Sequence, residues 1–377
     1  MKILIAAGGT GGHINPALAA AAALRELSSE CEILFVGARG KMEERLVPQA
    51  GFELRLIDAA GFYRSASPKA MLHNARALAL LAKSTAQVLS ILRDFRPDAA
   101  AGFGGYVSGS VLRMAQSRGI PTVIHEQNAF PGITNKALAK RAEAVLLTSP
   151  EAEKYLQTRV PCRVTGLPVR SALLAANRTE SRFMLGLDER PFVLSMGGSL
   201  GAKPINSAMP DVFAAHAQSA DCHLMHAAGT EEAAAAFRAL LEERGVRLAG
   251  ARHLTVRPYI TDMARCLSAA DLVVCRAGAS SLAEFRALGK PSILIPSPYV
   301  AENHQYHNAK ALADKGAAVL LEEKDLGSGR LVREVDALLS DPARLADMGN
   351  VAKAMAIPGA AEAIARAILD AAKQAGR

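Results

Sequence analysis

The chain has 377 residues, which at about 150 residues per domain means two domains or one large one. Half of it is hydrophobic and 21% is charged, enough for a sizeable core and too apolar for a disordered chain. The net charge of +8 is uneven: residues 1–162 hold 19 Lys+Arg against 13 Asp+Glu, and residues 163–377 hold 25 against 23. The first half is therefore expected to meet something anionic. No run of eighteen apolar residues occurs, so no membrane-spanning helix is expected. Five scattered cysteines, none in a CxxC, argue for a reducing compartment without a disulfide framework or zinc site. A soluble cytoplasmic chain is the expectation.

Residues 2–7 form a short apolar run that ends in glycines and reads as a buried strand rather than a signal peptide. Further strands are expected at 32–37, 99–102, 122–125 and 144–148, with helices at 16–27, 43–50, 70–93 and 108–117 between them. Strand then helix, repeated, predicts a parallel sheet covered on both faces. The pattern restarts near residue 163, with strands at 163–165, 192–196, 223–227, 252–256, 272–275, 292–296 and 318–320. The segment 161–168 reads as the linker. The Ala-rich tail 331–373 reads as helical, interrupted at Ile357-Pro358-Gly359. The expected domains are 1–162 and 163–356, with 357–377 as a terminal helix.

The two halves echo each other. A strand leads into Gly8-Gly9-Thr10-Gly11-Gly12 and a helix, and again into Gly197-Gly198-Ser199-Leu200-Gly201 and a helix. A third glycine turn is Gly102-Phe103-Gly104-Gly105. Such turns leave N–H groups pointing outward at the positive end of a helix dipole and attract phosphate, although one alone can serve only close strand–helix packing. Two such domains predict a ligand cleft at the carboxyl ends of both sheets. Neither main turn fits GxGxxG, residues 35–39 carry no acid for a ribose, and no GxxxxGK[ST] is present, which weighs against NAD and P-loop chemistry. Glu284 follows a stretch, 276–283, rich in small residues and is expected in the first turn of a helix. There it can bind a ribose diol, or it can close a capping box with Ser281.

Several segments in order carry a resemblance: the turn Gly8 to His13, Gly104-Gly105-Tyr106-Val107-Ser108-Gly109, His125-Glu126-Gln127-Asn128, Gly166-Leu167-Pro168-Val169-Arg170, Gly197-Gly198-Ser199-x-Gly201, Arg276-x-Gly278-Ala279 to Glu284, and His304-Gln305-x-x-Asn308-Ala309. Together they resemble the MurG family of bacterial GlcNAc transferases of peptidoglycan synthesis. The resemblance implies an α/β GT-B fold, two Rossmann-like domains with a deep interdomain cleft, and a terminal helix packed back on the first domain. It implies inverting transfer of GlcNAc from UDP-GlcNAc to the C4 hydroxyl of MurNAc in lipid I, giving lipid II. For the donor it implies Ser199 at the diphosphate, Arg170 near the nucleotide and the main chain of Ile260 at uracil. Ala279, Ser280, Ser281, Leu282 and Ala283 would line the site, Glu284 would take the ribose, and Gln305 and Asn128 would read the sugar. Asn206 and Arg276 belong to the same set without an assigned contact.

Thr10, Gly11, Gly12 and His13 are expected at the acceptor diphosphate or the donor sugar. His13 is the first choice for the general base, because imidazole titrates near physiological pH; it can equally serve only as a phosphate ligand. Glu126 is the rival base, or else a buried carboxylate orienting His125. Tyr106, His125 and Asn135 are acceptor-side candidates. His73, His216, His226 and His253 read as ordinary surface or core histidines. No Asp-x-Asp occurs, so no metal and no cofactor are expected.

Residues 59–93 contain no acid, but do contain Arg64, Lys69, Arg76, Lys83 and Arg93. Met71, Ala75, Leu78, Ala82, Thr85, Leu89 and Leu92 step as a helical stripe that fits core packing. Phe62, Leu72, Leu80 and Leu81, ringed by Lys136, Lys140 and Arg141, fit a patch for an anionic membrane surface. The implied location is peripheral, on the cytoplasmic face of the inner membrane, with a cell-wall or division complex as further partner and no nucleic acid. The absence of tryptophan and the sequence of loop 61–65 depart from the family pattern at this surface. The alternatives are another GT-B enzyme acting on UDP-GlcNAc by transfer, hydrolysis or epimerisation, an NAD-dependent oxidoreductase, and a non-catalytic membrane adaptor.

Overall fold

The computed structural model describes residues 1–58 and 68–375, with the side chains of 68–79, 81 and 375 outside the description. It divides into two compact units, residues 1–168 with 357–377, and residues 169–356.

The first unit holds seven parallel strands: β1 (Lys2–Ala6), β2 (Glu32–Ala38), β3 (Glu53–Ile57), β4 (Ala99–Gly102), β5 (Thr122–Glu126), β6 (Ala144–Leu147) and β7 (Cys162–Val164). Their order is β3-β2-β1-β4-β5-β6-β7. Central strands are buried on both faces, which is why β1 reads as a nearly continuous apolar run and why β5 carries His125 and Glu126 buried. Ala6 lies opposite both Val36 and Gly102, so β1 and β4 end level. The strand order reverses between these two, the place where open α/β sheets leave a crevice.

Helix Gly11–Leu27 covers one face and buries Ile14, Ala17, Ala20, Ala21 and Leu24. Its small alanines admit the last helix, Ala360–Ala375, whose Ile364, Ala365, Ile368 and Ala371 join the same core. Each buried Ile or Leu there stabilises by about 1.5–3 kcal/mol. The chain enters that helix at Ile357, whose Cβ lies so near Gly166 that a Cβ there would be 2.8 Å away.

Two features differ from the expectation. The strand expected to open the second half instead closes the first sheet, since residues 162–164 pair with β6. It is a short edge strand with Arg163 and Val164 exposed, so its pattern could not say which sheet it joins. The domain boundary accordingly falls after Pro168, not at 162. Strand β3, not foreseen, is also an edge, pairing with β2 and burying only Ile57 fully.

The second unit has six parallel strands: β8 (Phe192–Met196), β9 (His223–Ala227), β10 (Leu254–Arg257), β11 (Leu272–Cys275), β12 (Ser292–Leu294) and β13 (Ala318–Leu320). Their order is β10-β9-β8-β11-β12-β13, again with one reversal, between β8 and β11. Helices Lys203–His216 and Ala279–Leu288 follow the two strands at that point.

In helix Pro68–Phe95, the described core face is Ser84, Val88, Ile91, Leu92 and Phe95. Of the expected stripe, Leu92 lies on that core face, Thr85 and Leu89 are half-buried and Ala82 is exposed, so the described part of the stripe only partly follows the packing face. Met71, Ala75, Leu78, Phe62, Leu72, Leu81, His73, Arg64, Lys69 and Arg76 lie outside the described residues or side chains. No helix among the described residues is long and apolar enough to cross a membrane.

Candidate active site

In the first unit, the turns after β1 and β4 interlock. Gly105 has φ +78°, and a Cβ there would lie 2.6 Å from the Gly8 carbonyl oxygen, so only glycine admits this approach. Helix Gly11–Leu27 starts from Thr10, whose side chain makes no cap bond, and no acid lies in its first turn. Helix Gly105–Ser117 likewise has no acid in its first turn. Both N-termini thus keep their partial positive charge for an anion.

His13 lies between the two turns. Its Nδ1 donates to Gly8 O at 3.0 Å, with Thr10 Oγ1 at 3.4 Å. That bond puts the basic lone pair on Nε2, on the side of Gly104, where a Cβ would come within 3.0 Å of it. The Tyr106 hydroxyl is buried without a hydrogen-bond partner among the described residues, and burial raises its pKa.

Glu126 and His125 are placed differently from the expectation. Glu126 Oε1 accepts from Asn128 N (2.9 Å) and Nδ2 (3.2 Å), and Oε2 accepts from Gly132 N (3.2 Å) and Asn135 Nδ2 (2.8 Å). Those four donors fill the carboxylate, so it organises residues 126–135 and has no lone pair left to take a substrate proton. Burial raises its pKa while the donors oppose the rise. Nor does Glu126 orient His125: the His125 Nε2 donates to Gly166 O at 2.9 Å, and Nδ1 meets Gln127 Nε2 at 3.1 Å. Buried in the sheet, His125 is held neutral with its pKa lowered to about 4. It ties β5 to Gly166 and does not present a face to an acceptor. Asn135 is also buried, with Nδ2 bonded to Glu126 and Oδ1 unpartnered among the described residues.

In the second unit, the turn Gly197–Gly201 closes on a Gly201 N to Gly198 O bond of 3.0 Å, with Ser199 exposed. Gly201 has φ +74°, and a Cβ there would lie 1.9 Å from Ala228 O. The turn therefore rests backbone to backbone on residues 228–229. A chain of bonds holds that floor: Ser195 Oγ to His226 Nδ1 (2.8 Å), His226 Nε2 to Asn206 Oδ1 (3.2 Å), and Asn206 Nδ2 to Ala228 O (2.9 Å). This gives Asn206 the contact that the sequence left unassigned. Burial keeps His226 neutral, with a pKa near 3.

Helix Ala279–Leu288 starts from Gly278, without a side-chain cap bond. Ser281 is its third residue and Glu284 lies in its second turn, so the capping box is not formed and Glu284 is not in the first turn. Its Oε1 instead accepts from Arg170 Nε and Nη2, both at 2.9 Å. Burial raises the Glu284 pKa, with Arg170 opposing. Ala279, Ser280 and Ser281 are half-buried around the open helix end, while Leu282, Ala283 and the Ile260 side chain are core. Gln305 Oε1 accepts from Ser297 N at 3.0 Å, and Asn308 Nδ2 donates to Ala277 O at 3.1 Å, so helix His304–Ala313 braces the turn at 276–278. Arg276 pairs with Glu323 at 2.5 Å and donates to Ile295 O, a strut beneath the site.

Away from these turns, His216, Asp221 and Cys222 bring ligand-type atoms within 4.8 Å of one another. The imidazole there bonds Asp221 through Nδ1 at 2.8 Å and lies 3.1 Å from Asp336 through Nε2, which accounts for the cluster without an ion. At the expected membrane patch, Lys136 sits 3.8 Å over the Phe130 ring, and Lys83 pairs with Asp58 at 2.9 Å. The Lys83 contact, with Gln87, draws the Asp58 pKa down to about 2.

The N-terminal domain model of glycosyltransferase family 28 matches residues 3–147, and the C-terminal domain model of that family matches 192–364. The chain is 42% identical over 98% of its length to the UDP-N-acetylglucosamine–N-acetylmuramyl-(pentapeptide) pyrophosphoryl-undecaprenol N-acetylglucosamine transferase of Acetivibrio thermocellus, covering 98% of that protein. The protein of the same name from Desulforudis audaxviator is 42% identical over 97% of this chain and 96% of its own. The crystal structure of Acinetobacter baumannii MurG superposes with a TM-score of 0.79 at 30% identity, covering 98% of this chain and 99% of that one. A UDP-GlcNAc 2-epimerase from Neisseria meningitidis shares the fold alone, with a TM-score of 0.66 at 14% identity over 98% of this chain and 100% of its own. With its two parallel-sheet units of GT-B type, the chain belongs to glycosyltransferase family 28, in the family of UDP-N-acetylglucosamine–N-acetylmuramyl-(pentapeptide) pyrophosphoryl-undecaprenol N-acetylglucosamine transferases.

Proposed function

We propose that this chain transfers GlcNAc from UDP-GlcNAc to the C4 hydroxyl of MurNAc in lipid I, giving lipid II with an inverted, β-linked sugar. One observation carries the reading. In a chain 42% identical, nearly end to end, to transferases of that name, the switch point of each sheet bears a glycine turn opening onto an acid-free helix N-terminus. The first unit is assigned the acceptor and the second the donor, with 357–377 completing the first.

The transfer is a single displacement. The acceptor oxygen attacks the anomeric carbon, the bond to UDP breaks, and the hydroxyl proton goes to a base. His13 is assigned that role through Nε2; its Nδ1 bond to Gly8 O supports the tautomer required. Negative charge gathers on the departing diphosphate. It is assigned to the N–H groups around Ser199 and the helix end at Ala279–Ser281, in the manner of an oxyanion site. Glu284 Oε2 is left for the ribose hydroxyls while Oε1 holds Arg170. Ile260 is assigned to uracil through its main chain, and Gln305 and Asn128 to the sugar. Thr10, Gly11 and Gly12 are assigned to the donor sugar or the acceptor diphosphate, and Tyr106 to the acceptor side. The Tyr106 hydroxyl, buried and unpartnered among the described residues, supports a ligand there.

Peripheral attachment to the cytoplasmic face of the inner membrane belongs to the same proposal, with a cell-wall or division complex as the partner class that uses lipid II. Its support is the basic first half, the 62% exposure of Ile133 at the start of helix Ile133–Ala139, and the exposed Lys140 and Arg141 that follow that helix. Sedimentation with anionic liposomes at low salt tests it, and a protein that stays in the supernatant refutes it. The transfer itself is tested by incubating labelled UDP-GlcNAc with a short-chain lipid I analogue. A β-linked disaccharide product is expected; release of free GlcNAc or its epimer alone would overturn the reading.

A further inference from the structure

Glu43 is fully buried, and no part of the sequence marked it for function. It stands at the start of helix Glu43–Gln49, after β2, beneath the first glycine turn. Its Oε1 accepts from Ala38 N at 3.0 Å and its Oε2 accepts from Gly9 N at 3.3 Å. The carboxylate occupies room that glycine leaves: a Cβ at residue 8 would lie 2.6 Å from Oε1, and one at residue 37 would lie 2.5 Å from Cγ.

The Gly9 N–H and the Gly8 C=O belong to one peptide unit. The N–H points to Glu43, and the C=O accepts from His13 Nδ1 at 3.0 Å. A carboxylate, a peptide plane and an imidazole therefore form one hydrogen-bonded line. A negative charge behind the N–H polarises the peptide and makes its carbonyl oxygen a stronger acceptor. A stronger acceptor at Nδ1–H raises the basicity of Nε2, as a carboxylate does when it touches a histidine directly.

We infer that Glu43 is a positioning residue for the transfer reaction, acting on His13 through the Gly8–Gly9 peptide. It fixes the plane of that peptide, locks the His13 tautomer and strengthens Nε2 as proton acceptor. The inference rests on the assignment of His13 as base. Tyr106, from the helix after β4, lies within reach of the Glu43 carboxylate, which joins burial in raising its pKa, and the flanking Gly104 and Gln127 are neutral.

The test is a double-mutant cycle in the full chain with Glu43→Gln and His13→Ala, read as kcat and KM for both substrates. Glu43→Gln keeps the volume but removes the charge. It is expected to lower kcat about tenfold, leave the KM for UDP-GlcNAc within twofold, and move the acid limb of the kcat/KM profile to lower pH. In the His13→Ala background the same change is expected to cost less than twofold, because its target is gone. Glu43→Asp, shorter by one methylene but charged, is expected to recover part of kcat. A tenfold loss that persists in His13→Ala overturns the relay and leaves Glu43 a purely structural group. If His13→Ala turns over like the parent, the base assignment itself fails, a separate outcome. Should Glu43→Gln not fold, as read by thermal melting and UDP-GlcNAc binding, the Glu43→Asp cycle decides alone: equal losses with and without His13 overturn the relay.

Discussion

Replacing Glu126 by glutamine separates an organising carboxylate from a catalytic one. The side chain keeps its shape, but one oxygen becomes an NH2 that faces two of the four N–H donors now satisfied by the carboxylate. Hydrogen bonds to a charged acceptor contribute about 1.5–3 kcal/mol each. Two are lost, while the burial that raises the Glu126 pKa no longer penalises a charge. The net loss is then about 2–3 kcal/mol, or a fall of roughly 4–12 °C in the melting of a unit this size. Differential scanning calorimetry reads the stability, and steady-state kinetics from pH 5.5 to 9 read the chemistry. The account expects lower stability, a raised KM from a loosened 126–135 segment, and an unchanged shape of the pH profile. A variant as stable as the parent, with kcat down by about 10²–10⁴ and the acid limb gone, would refute it, because that is the signature of a lost base.

Three further outcomes follow from the geometry. Gly201→Ala, whose Cβ would lie 1.9 Å from Ala228 O, should displace the turn and raise the KM for UDP-GlcNAc at least tenfold, with little effect on lipid I binding; unchanged kinetics would show that the turn does not hold the donor. Glu284→Ala removes the ribose acceptor and releases Arg170, so calorimetric affinity for UDP should fall by about 1–3 kcal/mol, and equal affinity for UDP and a dideoxyuridine analogue in the parent would count against the assignment. His125 is buried with its pKa lowered to about 4, below the ordinary imidazole value of about 6.5, so the unfolded chain binds its proton first as pH falls. Stability is therefore lost on going from about pH 6.5 to 4, by up to about 3 kcal/mol, with His226 adding in the same direction. Urea titrations across that range should show a flatter dependence in His125→Asn, and an identical slope would contradict the neutral, buried state.

The parts of this protein that were legible in its sequence are those fixed locally. Short apolar runs such as 3–6 and 192–194, each followed by a glycine turn, read as strands buried on both faces, and that is how they fold. Edges were not legible. The run 162–164 is too short and too exposed for its pattern to choose a sheet, and β3 alternates weakly with only Ile57 fully buried. Among polar residues, type and spacing suggested roles that partners then decided. Ser281-x-x-Glu284 has capping-box spacing, but the helix begins at Gly278, and Arg170, 114 residues away in sequence, takes the carboxylate. Residue type alone makes Glu126 a rival base or a buried carboxylate, and its bonds to Asn128, Gly132 and Asn135 favour the second. Glu43 had no signal at all, since its meaning depends on a peptide 34 residues earlier.

The central claim is that backbone dipoles at glycine turns, rather than a bound cation, carry the charge of UDP as it leaves. The most direct measurement is the rate of lipid II formation by metal-stripped protein with a saturating chelator, set beside the same reaction in millimolar magnesium. The account predicts equal kcat in both. A rate abolished by the chelator and restored by a divalent ion would contradict it.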